Sequence, residues 1–113
     1  STTEVNPKLL ENLSEVLGTE GARRVLHIFI ENSPQILADF LRAAEQGNAS
    51  ELRRYAHTLG GNCALAGASQ LAAECKELTH LAASGSLNGT KEHAAQIAVR
   101  YQRITKELRE LMR

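Results

Sequence analysis

Residues 49–66 read ASELRRYAHTLGGNCALA, and the spacing of their apolar side chains decides the fold class. Apolar residues recur at intervals of 3, 4, 3, 4 and 3, at Ala49, Leu52, Ala56, Leu59, Cys63 and Ala66. These intervals match the 3.6-residue period of an α-helix that buries one face. The stretch therefore predicts an amphipathic helix, which Gly67 ends.

The same alternation of three and four residues recurs in three other long stretches. They are, in chain order, residues 19–47, residues 68–84 and the stretch that follows Gly89. The proline at position 34 predicts a bend or a new start within the first of them. No stretch alternates with period two over the length of a strand, so the sequence predicts an all-α protein.

A shorter helix precedes these four. Asn6 is a good N-cap, Pro7 suits the first helical position, and Gly18 ends the helix. Four long helices with short connections predict an antiparallel up-down-up-down four-helix bundle, in which the short N-terminal helix caps one end. We expect one domain over residues 6–113, with residues 1–5 forming a linker or a leftover from cloning.

Charge and composition exclude several function classes. The 113 residues include 13 Lys or Arg and 13 Asp or Glu, so the formal charge is zero, whereas nucleic acids and anionic membranes select a basic excess. Two Phe, two Tyr and no Trp are too few for a base-stacking platform. No apolar run approaches the ~20 residues that span a bilayer, and two cysteines make no disulfide framework. We expect a cytoplasmic protein without direct membrane contact.

His57 is the sharpest chemical feature of the quoted stretch. Its side chain points roughly 130° from the centre of the buried face, toward solvent or the rim of the bundle. Arg53, Gly60, Gly61 and Ala64 share its flank. Each glycine inside a helix costs about 1 kcal/mol of stability relative to alanine, so we expect another benefit to compensate for the two glycines. Close helix packing is one explanation and suits Gly60; access of a partner to bare backbone is the other, and suits Gly61 better.

Two interpretations of His57 are open at this point. Exposed histidines are common, and many are solvated side chains without a role. The alternative is chemical, because a neutral imidazole is abundant near neutral pH and is a nucleophile. It can accept a phosphoryl group on a ring nitrogen, most readily Nε2, and pass it on. Such a transfer needs access and orientation but no deep pocket.

Several pieces of the chain carry a family resemblance. They are the runs FIENSP at 29–34, AHTLGG at 56–61 and LAGA at 65–68, followed by Leu71, Cys75 and Leu78. In this order and spacing, residues 6–85 resemble the histidine phosphotransfer (HPt) domains of bacterial multistep phosphorelays. The resemblance implies a helical bundle, which agrees with the fold predicted from the apolar spacing.

The resemblance also implies a function. His57 would take a phosphoryl group from an aspartate of one receiver domain and deliver it to an aspartate of another. The partners would be receivers of a hybrid sensor kinase or of a response regulator, and the chain either the C-terminal domain of such a kinase or a free-standing protein. Mg²⁺ would be held by the receiver, so we expect no cofactor here. We expect the chain to be a monomer. We also expect it to be a phosphocarrier and not a self-sufficient kinase, because it has no nucleotide-binding motif.

Two departures from the family pattern affect the support of the phosphoryl group. The family usually has lysine three residues after the histidine, where this chain has Gly60. Arg53, one turn before His57, is our candidate substitute, although it is also a plausible solvated charge. Thr79 stands where the family often has Glu or Gln, and Lys76 is one turn before it. Thr79 and Lys76 are further candidates for contact with the site.

Other interpretations remain. One is an HPt-like module that is not phosphorylated and that binds a receiver or kinase to sequester it. The absence of the usual lysine at Gly60 keeps this interpretation open.

A metal site is disfavoured, because His27, His80 and His93 are scattered along the sequence. Cys63 and Cys75 are suited to be small buried hydrophobic residues. The first long helix, at residues 19–47, carries extra apolar residues, which either lie beneath the short N-terminal helix or form an apolar dock beside His57: Ile30, Leu37 and Leu41.

Overall fold

A computed structural model describes residues 4–113, which form four α-helices and no strand. The helices are α1 (Leu9–Glu45), α2 (Ala49–Leu65), α3 (Ser69–Ala83) and α4 (Thr90–Leu111). Gly18 interrupts α1 with a left-handed φ of 78° and an extended ψ of 161°, a conformation that suits glycine. The short first helix of the prediction is thus the segment of α1 before Gly18, and the break is where the sequence predicts it.

The four helices close into one bundle. Each helix packs against the next, and α4 packs against α1, so the apolar stripes meet in a single core. The connections at 46–48 and 66–68 are too short for anything but antiparallel neighbours. The largest fully buried side chains come from all four helices: Leu26, Phe40, Leu52, Leu59, Leu71, Leu78, Ile97, Tyr101, Ile104 and Leu108. The predicted four-helix bundle is confirmed.

The N-terminal segment packs on the bundle earlier than predicted. Within the expected linker, Val5 is only 3% exposed and belongs to the core. The Glu4 carboxylate accepts hydrogen bonds from Arg100 Nε at 3.0 Å and Nη2 at 2.7 Å. The Asn6 N–H donates to the carbonyl of Ala66 at 3.2 Å, beside the α2–α3 turn. Glu4 and Val5 therefore belong to the packed domain, whereas the other predicted linker residues, 1–3, lie outside the described part.

The start of α1 differs slightly from the prediction. Pro7 and Lys8 form a turn, and the helix begins at Leu9. Asn6 still satisfies a free amide, because its Oδ1 accepts from the Lys8 N–H at 3.0 Å, in the manner of an N-cap. The difference of two residues is typical of helix ends, where local hydrogen bonds compete.

Of the bend or new start predicted at Pro34, the new start is wrong. Gly18 is the only interruption of helical dihedrals within α1, so the helix continues through Pro34. The buried Ser33 hydroxyl donates to the carbonyl of Phe29 at 2.8 Å, and Leu37 and Phe40 continue the buried stripe beyond the proline. Packing on both sides holds the segment helical and outweighs the lost proline hydrogen bond.

The buried stripe of α1 is also broader than the predicted one. Ile36 is only half-buried, whereas Leu37 and Ile30 belong to the core. Leu41 is exposed. Of the first segment, Leu9 is buried, and Leu10 and Leu13 pack against the core. Among the described residues, no helix has the length and apolar character that crossing a membrane requires.

A polar and aromatic cluster joins α1, α2 and α4 inside the bundle. The rings of Phe29 and Tyr101 stack with centroids 5.3 Å apart. The Tyr101 hydroxyl accepts from Asn62 Nδ2 at 3.0 Å. Thr105 Oγ1 lies 3.3 Å from Ser33 Oγ and within hydrogen-bond distance of the Tyr101 carbonyl. Burial raises the pKa of Tyr101 to about 12, because the phenolate would be poorly solvated there.

Candidate functional site

His57 lies in the middle of α2 with its side chain exposed. Its neighbours Ala56 and Leu59 are fully buried and fix the orientation of the helix against the core. Within residues 4–113, no hydrogen bond or ion pair of the His57 ring is present, and the residue is exposed, so the ring is accessible from outside the bundle. This position agrees with the outward orientation that the helical spacing predicts.

A groove of about 530 Å³ runs beside His57 between α2 and α3. The α2 wall consists of Ala56, His57, Gly60, Gly61 and Ala64, and the α3 wall of Ser69, Ala72, Ala73, Lys76, Thr79 and His80. Most of these side chains are small, which leaves backbone and methyl groups as the floor. Lys76 and the two histidines supply its basic groups, and none of the carboxylates in residues 4–113 lines it. An anion carried on His57 would thus meet no acidic side chain in the groove.

The two glycines after His57 lie in different surroundings. A Cβ added at Gly60 would lie 3.2 Å from Cys75 Cβ and 3.7 Å from the Ala72 carbonyl oxygen. Gly60 therefore lets α2 and α3 approach closely, as the packing explanation requires. A Cβ added at Gly61 would meet nothing within 4 Å. Packing does not require glycine at Gly61, and its bare backbone leaves the approach to the imidazole open.

The structure brings two of the three candidate supporting side chains to the groove. Lys76 is exposed on the α3 wall. Thr79 is half-buried there, and its hydroxyl donates to the Cys75 carbonyl at 2.8 Å, so its hydrogen is used within α3 and its oxygen remains an acceptor. Neither side chain contacts His57 directly through a hydrogen bond in the described structure.

Arg53 is not brought to the groove. Its side chain is exposed, but it lies outside the lining. Because Gly60 faces Cys75 and the helices run antiparallel, Arg53 is level with Ala82, close to the C-terminal end of α3 at Ala83. The sequence predicts that Arg53 is on the same flank of α2 as His57. It does not predict how far α3 extends alongside that flank, which depends on the packing of the two helices.

His80 is the groove residue that the sequence reasoning missed. It is exposed, lies one turn after Lys76 on the same face of α3, and lines the groove together with His57. The spacing of Lys76 and His80 is a visible signal in the sequence. Which helix that face of α3 meets depends on the packing of the bundle, and therefore needed the structure.

The remaining chemical candidates stay apart from the groove. Cys63 and Cys75 are free and fully buried, as predicted for small hydrophobes; the contact with Cys75 and burial raise the pKa of the Cys63 thiol. Ile30 and Leu37 are buried in the core, Leu41 is exposed, and none of the three lines the groove. The part of the chain that the structure describes contains no group of three or more His, Cys, Asp or Glu suited to a metal ion.

Comparisons with known proteins agree with this architecture. The family model of the Hpt domain matches residues 24–112. The structure is similar to the crystal structure of histidine-containing phosphotransfer protein B from Pseudomonas aeruginosa PAO1, with a TM-score of 0.84 and 27% sequence identity. The similarity covers 97% of this chain and 95% of that chain. No curated protein matches the sequence.

Proposed function

Because this chain belongs to the Hpt domain family, whose members transfer phosphoryl groups through a histidine, we propose that His57 carries the phosphoryl group. The observation that supports this assignment is the exposed imidazole of His57 at the edge of the α2–α3 groove. The other three histidines are His27, His80 and His93. Of these, His27 pairs with Glu31 on α1, His93 lies 3.6 Å from Glu74, and His80 lies on the opposite wall.

The proposed reaction moves one phosphoryl group between an aspartate and His57. The Nε2 lone pair of the neutral ring attacks phosphorus, an N–P bond forms, and the acyl phosphate O–P bond breaks. The aspartate leaves as a carboxylate, and the positive charge on the ring is relieved when Nδ1 loses its proton to solvent. The reverse sequence, on a second receiver, returns the phosphoryl group to a carboxylate oxygen.

This chain supplies a positioned nucleophile and an open approach. The rigid packing of α2 fixes the imidazole, and the bare backbone at Gly61 and the small Ala64 admit the partner. We propose that Lys76, which lines the groove, pairs with phosphoryl oxygens, and that the Thr79 oxygen accepts a hydrogen bond from the ring. Mg²⁺ belongs to the receiver in this proposal, so the chain itself uses no cofactor.

Receiver domains, with which Hpt domains interact in phosphorelays, are the proposed partners. The groove is open to solvent, which suits a contact that forms and releases for each transfer. We propose that the chain acts as a monomer, taking the phosphoryl group from one receiver and passing it to a second one.

Labelling of the protein by a phosphorylated receiver tests this function. We expect acid-labile, alkali-stable label on the unchanged protein and none on His57→Gln, because glutamine offers no nucleophilic ring nitrogen. His27→Gln is the matched control, since it removes an exposed histidine outside the groove and is expected to retain the label. Label that persists on His57→Gln would disprove the assignment.

The absence of the usual lysine at Gly60 favours one alternative, a silent module that binds a receiver without being phosphorylated. The same labelling mixture separates the two functions. Stable binding of a receiver with no label on the unchanged protein supports the module, whereas label that chases to a second receiver supports the relay.

A further inference from the structure

Two side chains with nitrogen donors lie one turn apart on the α3 wall of the groove. Lys76 and His80 are separated by four residues, which puts them on the same face of the helix. Because Gly60 faces Cys75 and the helices are antiparallel, His57 is level with this part of α3. The groove thus places Lys76 and His80 across from the imidazole that the proposed function phosphorylates.

The groove walls supply the side chains that lie beside a phosphoryl group on His57. Phosphorylation adds up to two negative charges and three strong acceptor oxygens. Gly60 on the α2 wall has no side chain and Arg53 does not line the groove, so the lysine and the second histidine of the lining both come from α3. A longer side chain at Gly60 would begin 3.2 Å from Cys75 Cβ, so the close packing of α2 and α3 favours its absence.

The other polar groups of the α3 wall are less suited. The Thr79 hydroxyl donates to the Cys75 carbonyl and has no second hydrogen to offer. Ser69 lies seven residues before Lys76, about 10 Å along α3. Glu77 is a carboxylate close to the pair; it borders an adjoining depression with Lys76 and His80 and does not line the groove itself. Lys76 and His80 remain as the donors.

We infer that His80 binds the phosphoryl group on His57, with Lys76 beside it, and that this pair replaces the lysine absent at Gly60. The imidazole N–H of His80 donates to one phosphoryl oxygen, and the ammonium group of Lys76 pairs with another. The inference rests on the proposed function, which supplies the phosphoryl group, and it adds a residue that binds this group from the opposite helix.

The equilibrium of phosphoryl transfer with one receiver measures this contact. The ratio of phosphohistidine to aspartyl phosphate is followed from both directions until the two values agree. We expect His80→Ala to lower this ratio about two- to fivefold, as the loss of an exposed charged contact implies, and His80→Lys to restore it. Removal of Lys76 and His80 together should lower the ratio further than either change alone.

Matched variants separate this contact from a structural effect. His27→Ala removes an exposed histidine outside the groove and should leave the ratio unchanged, and urea unfolding should show His80→Ala to be as stable as the parent. An unchanged ratio in His80→Ala, with normal labelling of His57, would overturn the inference alone. Absence of label on the unchanged protein would overturn the proposed function, and this inference with it.

Discussion

The two helix pairs on opposite sides of the bundle are built from side chains of different size. Between α1 and α4, the core is filled by large groups, among them the stacked rings of Phe29 and Tyr101. Between α2 and α3, small residues meet beside the groove, including Gly60, Cys63 and Cys75, whereas the leucines of these two helices are buried in the shared core. The first pair meets through large side chains, whereas the second brings two backbones close together at Gly60.

The difference shows how stability and access are divided in a small domain. Burial of large side chains between α1 and α4 contributes most per residue to stability, because the transfer free energy scales with apolar area. Small residues between α2 and α3 contribute less, but they leave a groove in which His57 and the α3 wall are both reachable. A partner can therefore bind on one side while the opposite side holds the fold.

Tyr101→Ala tests this division with the largest expected effect. Tyr101 is fully buried, stacks on Phe29 and accepts from Asn62, so its truncation leaves a cavity and an amide without its partner. We expect a loss of about 3–5 kcal/mol in the free energy of unfolding, measured in urea. Molecules that remain folded should accept label on His57 at the parental rate. Tyr55→Ala, at a half-buried position on α2, should cost much less.

Alkaline pH should weaken the same side of the bundle. An unfolded tyrosine loses its proton near pH 10, whereas burial raises the pKa of Tyr101 to about 12, so the unfolded state ionises first. Stability is therefore complete below pH 10 and falls as the pH rises from 10 to 12, by about 2–3 kcal/mol. Tyr101→Phe should lack this component of the pH dependence, which unfolding curves at pH 8 to 12 would show. An identical fall in both proteins would contradict the burial of the phenol as its cause.

The sequence predicts the parts of this molecule that depend on local periodicity. The intervals of three and four residues identify the helices, the glycine at 18 marks the break, and the spacing around His57 places its ring outside the core. These features are local, because an apolar stripe and a left-handed glycine act over a few residues.

Features that depend on distant contacts could not be predicted in this way. The helix continues through Pro34 because side chains on both sides of it pack in the core. Glu4 belongs to the domain because Arg100, at the other end of the chain, binds its carboxylate. The place of His80 in the groove follows from the packing of α3 against α2, which a single helix pattern does not determine.

The smallest effect sharpens the comparison within the α2–α3 pair itself. Gly61→Ala places a methyl group in open space and gains helix propensity, so we expect about 1 kcal/mol of added stability in urea unfolding. Gly60→Ala gains the same propensity but brings Cβ to 3.2 Å from Cys75 Cβ, so its net change should be near zero or unfavourable. Equal stabilisation by both changes would show that α2 and α3 can separate without cost, and that close packing is not what maintains glycine at 60.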